Sequence, residues 1–265
     1  MDRWNGKVAI VTGASSGIGA ATSKALARHD VKVVGLARRL EKLKEQQAEI
    51  GKNKFYPIEC DVTKEQDIVK AFNWVEKELG GVDILVNNAG LAISTPIIDA
   101  ETAEDYHKVV DTNLIAPAIC SREFSRSIKK RNAVGHIINI NSIAGLYAES
   151  LHIPLGMYGP SKYGLRALGT ELRHEIILRK LKIKITNISP GAVLTDMLKG
   201  IARSEMPTDI PILKDHDIAD AVMYALGTPT TVEIPEITVM PHNEIIGVPQ
   251  RVRDLVSFNS IEYYI

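Results

Sequence analysis

The chain is poor in cysteine and aromatic residues, carries no excess of charge of either sign, and nowhere strings together enough apolar residues to cross a bilayer. Each absence excludes something. Cys60 and Cys120 are its only cysteines, too few for a disulfide scaffold and without metal-ligand spacing. The 32 basic and 32 acidic side chains cancel to a formal net charge of zero, so nothing electrostatic argues for nucleic acid or an anionic membrane surface as a partner. No apolar run reaches the roughly eighteen residues of a membrane span, and Met1–Asn5 has no apolar segment behind it. The expectation is a protein of a reducing, cytoplasmic compartment with no membrane span. What is present, 45% hydrophobic and 24% charged over 265 residues, suffices for the core of one large domain, read as 1–265.

Short apolar runs alternate with helical patterns along the chain. Lys7–Val11, Val31–Leu36, Lys54–Cys60, Asp83–Val86, His136–Ser142, Ile183–Ile188 and Glu236–Val239 read as about seven strands, most of them too continuously apolar to face water. Helices are expected over Ala20–His29, Leu40–Ile50, residues 64–79, from a Thr102/Asp105 capping pair through a kink at Pro117, and over Tyr158–Lys180. This is the pattern of an α/β fold, a doubly wound parallel sheet of Rossmann type. Two segments break the alternation: 143–157, and the apolar, proline-broken 193–215, whose length and composition suggest a lid over a substrate.

Three features carry chemistry. The first strand feeds Gly13, Ser15, Ser16, Gly17, Ile18 and Gly19, spaced Gly-x-x-x-Gly-x-Gly and leading into a helix; such a turn lets backbone N–H groups approach a pyrophosphate at the positive helix end. The second strand ends in Arg38 and Arg39, where an NAD-binding fold would place a carboxylate for the ribose 2′-hydroxyl. Arginine's fork of donors suits a phosphate, so the position reads as a 2′-phosphate site and the cofactor as NADP, unless the pair is merely a solvated loop. Finally, Tyr158 and Lys162 stand four apart at the start of a helix and share one face, with Pro160 tolerated in the first turn. A cation beside a phenol favours the phenolate and brings its pKa towards neutral. Asn113 sits in an apolar stretch and is either a structural bridge or part of a site.

Thr12-Gly13-x-x-x-Gly17-Ile18-Gly19, Asn87-Asn88-Ala89-Gly90, Asn113, Ser142, Tyr158-x-x-x-Lys162 and Pro190-Gly191 stand in the order of the classical short-chain dehydrogenases/reductases. The resemblance spans about residues 5–245, and the segments Met1–Lys7 and Gly35–Arg39 look most like the farnesol dehydrogenase-like branch. It implies Tyr158 as acid/base, Ser142 as hydrogen-bond donor to the reacting oxygen, and Lys162 as the group that lowers the tyrosine pKa and holds the nicotinamide ribose. It further implies that Asn113 anchors a proton-carrying water, Asp61 and Val62 meet the adenine, and Asn88, Ala89 and Gly90 meet the adenosine side. Pro190, Gly191, Val193 and Thr195 would contact the nicotinamide end, and the helices bearing Asn113 and Tyr158 would pack against a partner copy in a homodimer or homotetramer. The substrate is expected to be a small apolar alcohol or its carbonyl, an isoprenoid or keto-steroid. A broad reductase of small dicarbonyls or ketones is the alternative, and a non-catalytic NADP-binding regulator is disfavoured because Tyr158, Lys162 and Ser142 are all present. Three departures stand out: sixteen residues separate Ser142 from Tyr158, Asn141 replaces a frequent serine, and the C-terminal strand lacks the usual Asp-Gly-Gly end, followed by a tail, 248–265, to which the resemblance assigns no role.

Overall fold

The computed structural model describes residues 1–93, 95–148, 155–201 and 212–242. Seven parallel strands lie in the order β3-β2-β1-β4-β5-β6-β7. They are β1 (Val8–Thr12), β2 (Lys32–Ala37), β3 (Phe55–Glu59), β4 (Ile84–Asn87), β5 (Gly135–Ile140), β6 (Ile183–Pro190) and β7 (Glu236–Val239). Their continuous apolar composition has a simple cause, because both faces of the sheet are covered. Ala9 and Val11 of β1 join Val33, Val86 and Ile138 under α1 (Gly17–Arg28), α2 (Leu40–Ile50) and α8 (Asp215–Gly227). Val8 and Ile10 join Val34, Leu85 and Ile137 under α3 (Glu65–Leu79), α5 (Ala116–Arg131) and α6 (Tyr158–Leu178). The chain leaves β1 outwards to β2 and β3, then returns to place β4 on the other side of β1. That reversal opens a crevice beyond the carboxyl ends of the strands, the place where such sheets bind ligands.

Several expectations are corrected. Helix α1 begins at Gly17, three residues before the expected start, and α6 ends at Leu178. Strand β5 stops at Ile140, so Ser142 stands past it as the cap of a short 3-10 turn, Ile143–Gly145, accepting from the Ala144 N–H at 3.1 Å. Thr102 and Asp105 form no capping box: α4 (Glu104–Val110) is preceded by Ala103, and the Asp105 carboxylate instead accepts from the Thr95 hydroxyl at 3.0 Å. Between α4 and α5 the irregularity falls before Pro117, as a π-helical turn over Asp111–Ile115. Pro117 then sits in the first turn of α5, where its missing N–H disrupts nothing further along that helix.

An unforeseen row of amides crosses the sheet. In-register pairing aligns Asn87, Asn139 and Asn187 on neighbouring strands. The Asn87 amide donates to Asn139 at 2.9 Å, and Asn139 donates to Asn187 at 3.0 Å. All three are buried on the α5/α6 side, where burying such amides is tolerable because they bond one another.

Candidate active site

The glycine turn and the loop after β4 are stitched into one unit. Thr12, the last residue of β1, accepts the backbone N–H groups of Asn88 and Ala89 at 2.9 and 3.0 Å, and the Asn88 amide donates to the carbonyls of Thr12 and Gly13. The packing admits no side chain at two of the glycines. Gly13 has φ +65°, and a Cβ there would lie 2.8 Å from the Ala89 Cα. A Cβ on Gly19 would meet the Gly13 carbonyl oxygen and the Asn88 amide nitrogen, each at 2.5 Å. Gly19 therefore packs the turn and does not itself face the cleft.

That cleft has a volume of about 560 Å³. Of the residues expected at the site, it is lined by Gly13, Ser15, Ser16, Gly17, Ile18, Arg38, Arg39, Asp61, Val62, Asn88, Ala89, Gly90, Tyr158, Lys162 and Thr195. Asn113, Ser142, Pro190, Gly191 and Val193 do not line it. Arg39 reaches over the glycine turn, donating to the hydroxyls of Ser15 at 3.0 Å and Ser16 at 2.6 Å, and one of its terminal nitrogens lies 3.8 Å from the Asp196 carboxylate. Asp61 closes the same side. Burial alone would raise its carboxyl, but hydrogen bonds from Thr63 and the charges of Arg38 and Lys64 outweigh it and hold the group below the ordinary value. A cradle of backbone N–H groups, closely packed glycines and two guanidiniums fits a dinucleotide carrying an extra phosphate.

On the opposite side of β1 the charges are buried. Lys162 is 4% exposed, and its ammonium donates to the Ile140 carbonyl at 2.9 Å. Burial lowers its pKa to about 8. Tyr158 opens α6 one turn earlier, with the Lys162 ammonium 5.7 Å from its ring centre. The shift expected from that cation is reversed here. Burial pushes the phenol up although the residue as a whole is only half-buried, and a hydrogen bond with the Ser142 side chain opposes it. Desolvation of the phenol itself is the largest effect, while the ammonium is turned to a strand carbonyl. Asn113 is fully buried, its amide oxygen accepting from the Leu91 N–H at 2.8 Å and its nitrogen donating to the Leu91 carbonyl and Ser161 hydroxyl. Its side chain thus ties the post-β4 loop to α6.

The structure adds residues that sequence reasoning left out. Thr12 organises the turn from a strand end, while Cys60, Thr112 and Asn141 line the cleft, joined by Met197 of the expected lid. The Cys60 thiol is pushed up to about 12 by burial and then by nearby Asp67 and Asp61, which makes it a packing group. The signal that would have found these residues is their position just beyond strand ends at the sheet's reversal. The segment from residue 193 is anchored where it begins and where it returns, since Val193 pairs with Leu213 and the Leu194 N–H donates to the Leu213 carbonyl at 2.9 Å. Helix α7 (Asp196–Ile201) follows within it, and residues 202–211 lie outside the described residues.

Known proteins share this arrangement. The family model for short chain dehydrogenase matches residues 7–206. A farnesol dehydrogenase of Aedes aegypti is 43% identical over 92% of this chain and 99% of its own length. Dehydrogenase/reductase SDR family member 11 of Gallus gallus is 39% identical over 92% of this chain and all of its own. A solved structure described as the closed form of serine dehydrogenase complexed with NADP+ superposes with a TM-score of 0.82 at 28% identity, covering 91% of this chain and 98% of that one. The glycine cradle, the Tyr158–Lys162 pair and these matches together make the chain a member of the short chain dehydrogenase family, an oxidoreductase acting between CH–OH and C=O, with a farnesol dehydrogenase among its similar relatives.

Proposed function

We propose that this protein interconverts an apolar alcohol and its carbonyl with NADP, Tyr158 serving as acid and base. The observation that carries the reading is a single cleft that presents Arg38 and Arg39 on one side of β1 and Tyr158 with Lys162 on the other. NADP, when bound, supplies or accepts the hydride at its nicotinamide. The chain's own residues do the rest. Arg38 and Arg39 bind the 2′-phosphate, the turn Gly13–Gly19 the pyrophosphate, Asp61 and Val62 the adenine, and Asn88–Gly90 the adenosine side. Pro190–Thr195 shape the nicotinamide end.

In the reductive direction the Tyr158 hydroxyl gives its proton to the substrate carbonyl oxygen while the Ser142 hydroxyl donates a hydrogen bond to it, and in oxidation Tyr158 takes the proton back. A phenol raised by burial is fully protonated at neutral pH, the form that reduction needs. Lys162 would hold the nicotinamide ribose, and its positive charge favours the phenolate that Tyr158 becomes on giving up its proton. Asn113 contributes through its main chain, because its amide is already bonded. Pro117 has no N–H with which to close an α-helical turn onto the Asn113 carbonyl, which suits Asn113 to anchor the water through which protons reach Lys162.

Segments 143–157 and 193–215 act as the substrate walls. Met197 lines the cleft, and in the same two segments Leu194 and Tyr147 keep 48% and 39% of their surface exposed. Leu151 and Ile153, also expected there, lie outside the described residues. The mosquito relative's name points to farnesol, an isoprenoid alcohol. Partly exposed Ile115 before α5 and Tyr163 on α6 support pairing of these helices with a second copy, as dimer or tetramer, which light scattering tests directly. The central test is kcat/KM along a series of primary alcohols and ketones of rising apolar bulk, with both NADP(H) and NAD(H). Activity should rise towards sesquiterpenoid or steroid size at about 0.8 kcal/mol per buried CH₂, and NADP should be preferred. A flat profile or a preference for small polyols would overturn the substrate class.

A further inference from the structure

Polar groups buried on the α5/α6 side of the sheet are largely bonded to one another; the Asn87 amide oxygen is left over, and at Asn141 the whole amide is. Asn141 is 3% exposed, yet neither its amide oxygen nor its amide nitrogen has a partner. Among the described residues it is the one buried side chain that leaves both ends of an amide unpartnered. The backbone places it firmly: its N–H continues the β5–β6 ladder to the Ile188 carbonyl at 2.7 Å. Two residues past Asn139, its side chain falls on the face of the amide row and lines the cleft along with Ile140, Tyr158 and Lys162. A methyl built on Gly145 would meet the Asn141 amide nitrogen at 3.0 Å and the Lys162 backbone carbonyl at 2.7 Å, so the amide lies against the turn of α6 that carries Lys162. The Lys162 ammonium itself is bonded to the carbonyl of the peptide that joins Ile140 to Asn141, with two of its three N–H groups left over.

An amide buried without partners costs a fold about 1–3 kcal/mol. Such a cost persists where a site needs the group in another state. We propose that Asn141 is a positioning residue for Lys162: its amide oxygen is the second acceptor that the ammonium takes up once the loaded cleft draws it towards the nicotinamide ribose, holding the charge beneath Tyr158 during proton transfer. The proposal rests on the reaction set out above.

It has a signature that ordinary packing lacks. Leucine has nearly the shape of asparagine but no polar atoms, so Asn141→Leu relieves the orphaned amide while removing the acceptor. Burial alone lowers Lys162 to about 8 in the free protein; in the loaded cleft of the variant the ammonium lacks the acceptor that favours its charged form, so its pKa there lies below that of the loaded wild type. The other titratable groups facing the cleft are Tyr158 on α6, Cys60 and Asp61 after β3, Arg38 and Arg39 after β2, and Asp196 on α7, none of which the substitution touches.

The experiment compares wild type, Asn141→Leu and Asn141→Ser with NADPH and the best carbonyl substrate. For Asn141→Leu the expected result is a Tm at or above wild type without cofactor and a smaller gain in Tm on adding NADP. Its kcat should fall about fivefold at unchanged KM, with the alkaline limb of the kcat profile about half a pH unit lower. Asn141→Ser, which keeps an acceptor, should recover part of kcat and of the limb. Wild-type kcat and pH profile in Asn141→Leu would overturn the proposal, as would equal losses in both variants with an unmoved limb, which mark a packing role. The gain in Tm on NADP needs no turnover, so it judges Asn141 even where Tyr158→Phe shows that another residue is the acid.

Discussion

The two sides of the cleft handle charge in opposite ways. At the Arg38–Arg39 side the charged groups are exposed, and Arg39 and Asp196 keep 54% and 70% of their side-chain surface while facing each other at 3.8 Å. At the Tyr158–Lys162 side the polar groups are removed from water: Lys162, Asn113, Ser161 and Asn141 are all at or below 4% exposed. Exposed charges are screened and individually weak, which suits telling one soluble cofactor from another. Desolvated groups have shifted pKa values and strong mutual interactions, which suits moving a proton. The comparison predicts that substitutions at the buried side act on rate and stability in large steps, and that those at the exposed side act on affinity in small ones.

Tyr158→Phe should show the largest effect. It keeps the ring and removes the proton, so kcat should fall about 10²-fold or more while NADP affinity, measured by fluorescence titration, changes little. Near-normal turnover would show that the buried side does not hold the acid.

Lys162→Met tests the same side through stability. The folded pKa of about 8 lies below the ordinary lysine value of 10.5, so folding disfavours the ammonium. The penalty is full below about pH 8, shrinks as pH rises towards 10.5, and vanishes once lysine is neutral in both states. Relieving it, less the lost bond to the Ile140 carbonyl, should stabilise the free protein by about 1–3 kcal/mol at pH 7, with the advantage closing by pH 10.5. Turnover should collapse in the same variant. Urea melts at pH 7 and 10 read the sign, and a variant less stable at both would show that the lysine's packing outweighs its charge.

Arg38→Asp moves to the exposed side. One charge-assisted contact to phosphate is worth about 1.5–3 kcal/mol, so NADP should bind at least about tenfold more weakly and NAD no worse. Equal losses for both cofactors would mean that Arg38 supports the loop instead of reading the phosphate.

Legibility followed the same divide between local and non-local causes. The strands could be read because both faces of the sheet are covered, which turns each into an unbroken apolar run such as Val8–Val11. Glycine spacing, the missing carboxylate at Ala37–Arg39 and the four-residue step from Tyr158 to Lys162 are all local, and the structure brings them to one cleft. The direction of the Tyr158 shift was not local. It depends on how far the fold removes the phenol from water, and on the bond with the Ser142 side chain, sixteen residues away. The Asn87–Asn139–Asn187 row needed the register of three parallel strands, and the π turn at Asp111–Ile115 needed the packing of α4 against α6, with Asn113 held by Leu91. Asn141 was visible only as a departure from a frequent serine, because an unpartnered atom is defined by its surroundings.

The smallest predicted effect belongs to Asp196, and it sharpens the comparison most. Its carboxylate opens α7, lines the cleft, and competes with any incoming phosphate for Arg39. Were this pair buried, breaking it would leave an uncompensated charge and a large loss. Being exposed, it contributes about 0.2–1 kcal/mol, and Arg39 keeps its bonds to Ser15 and Ser16 when it is gone. Asp196→Asn should therefore raise NADP affinity, by less than about fivefold, because one anion fewer opposes the phosphate. The gain should be greatest at low ionic strength and absent near 1 M salt, where the screening length is about 3 Å. NAD, without the 2′-phosphate, should respond less. A loss of NADP affinity in Asp196→Asn would reverse the argument, because it would mean that the carboxylate aims Arg39 at the phosphate, and that the exposed side is organised as tightly as the buried one.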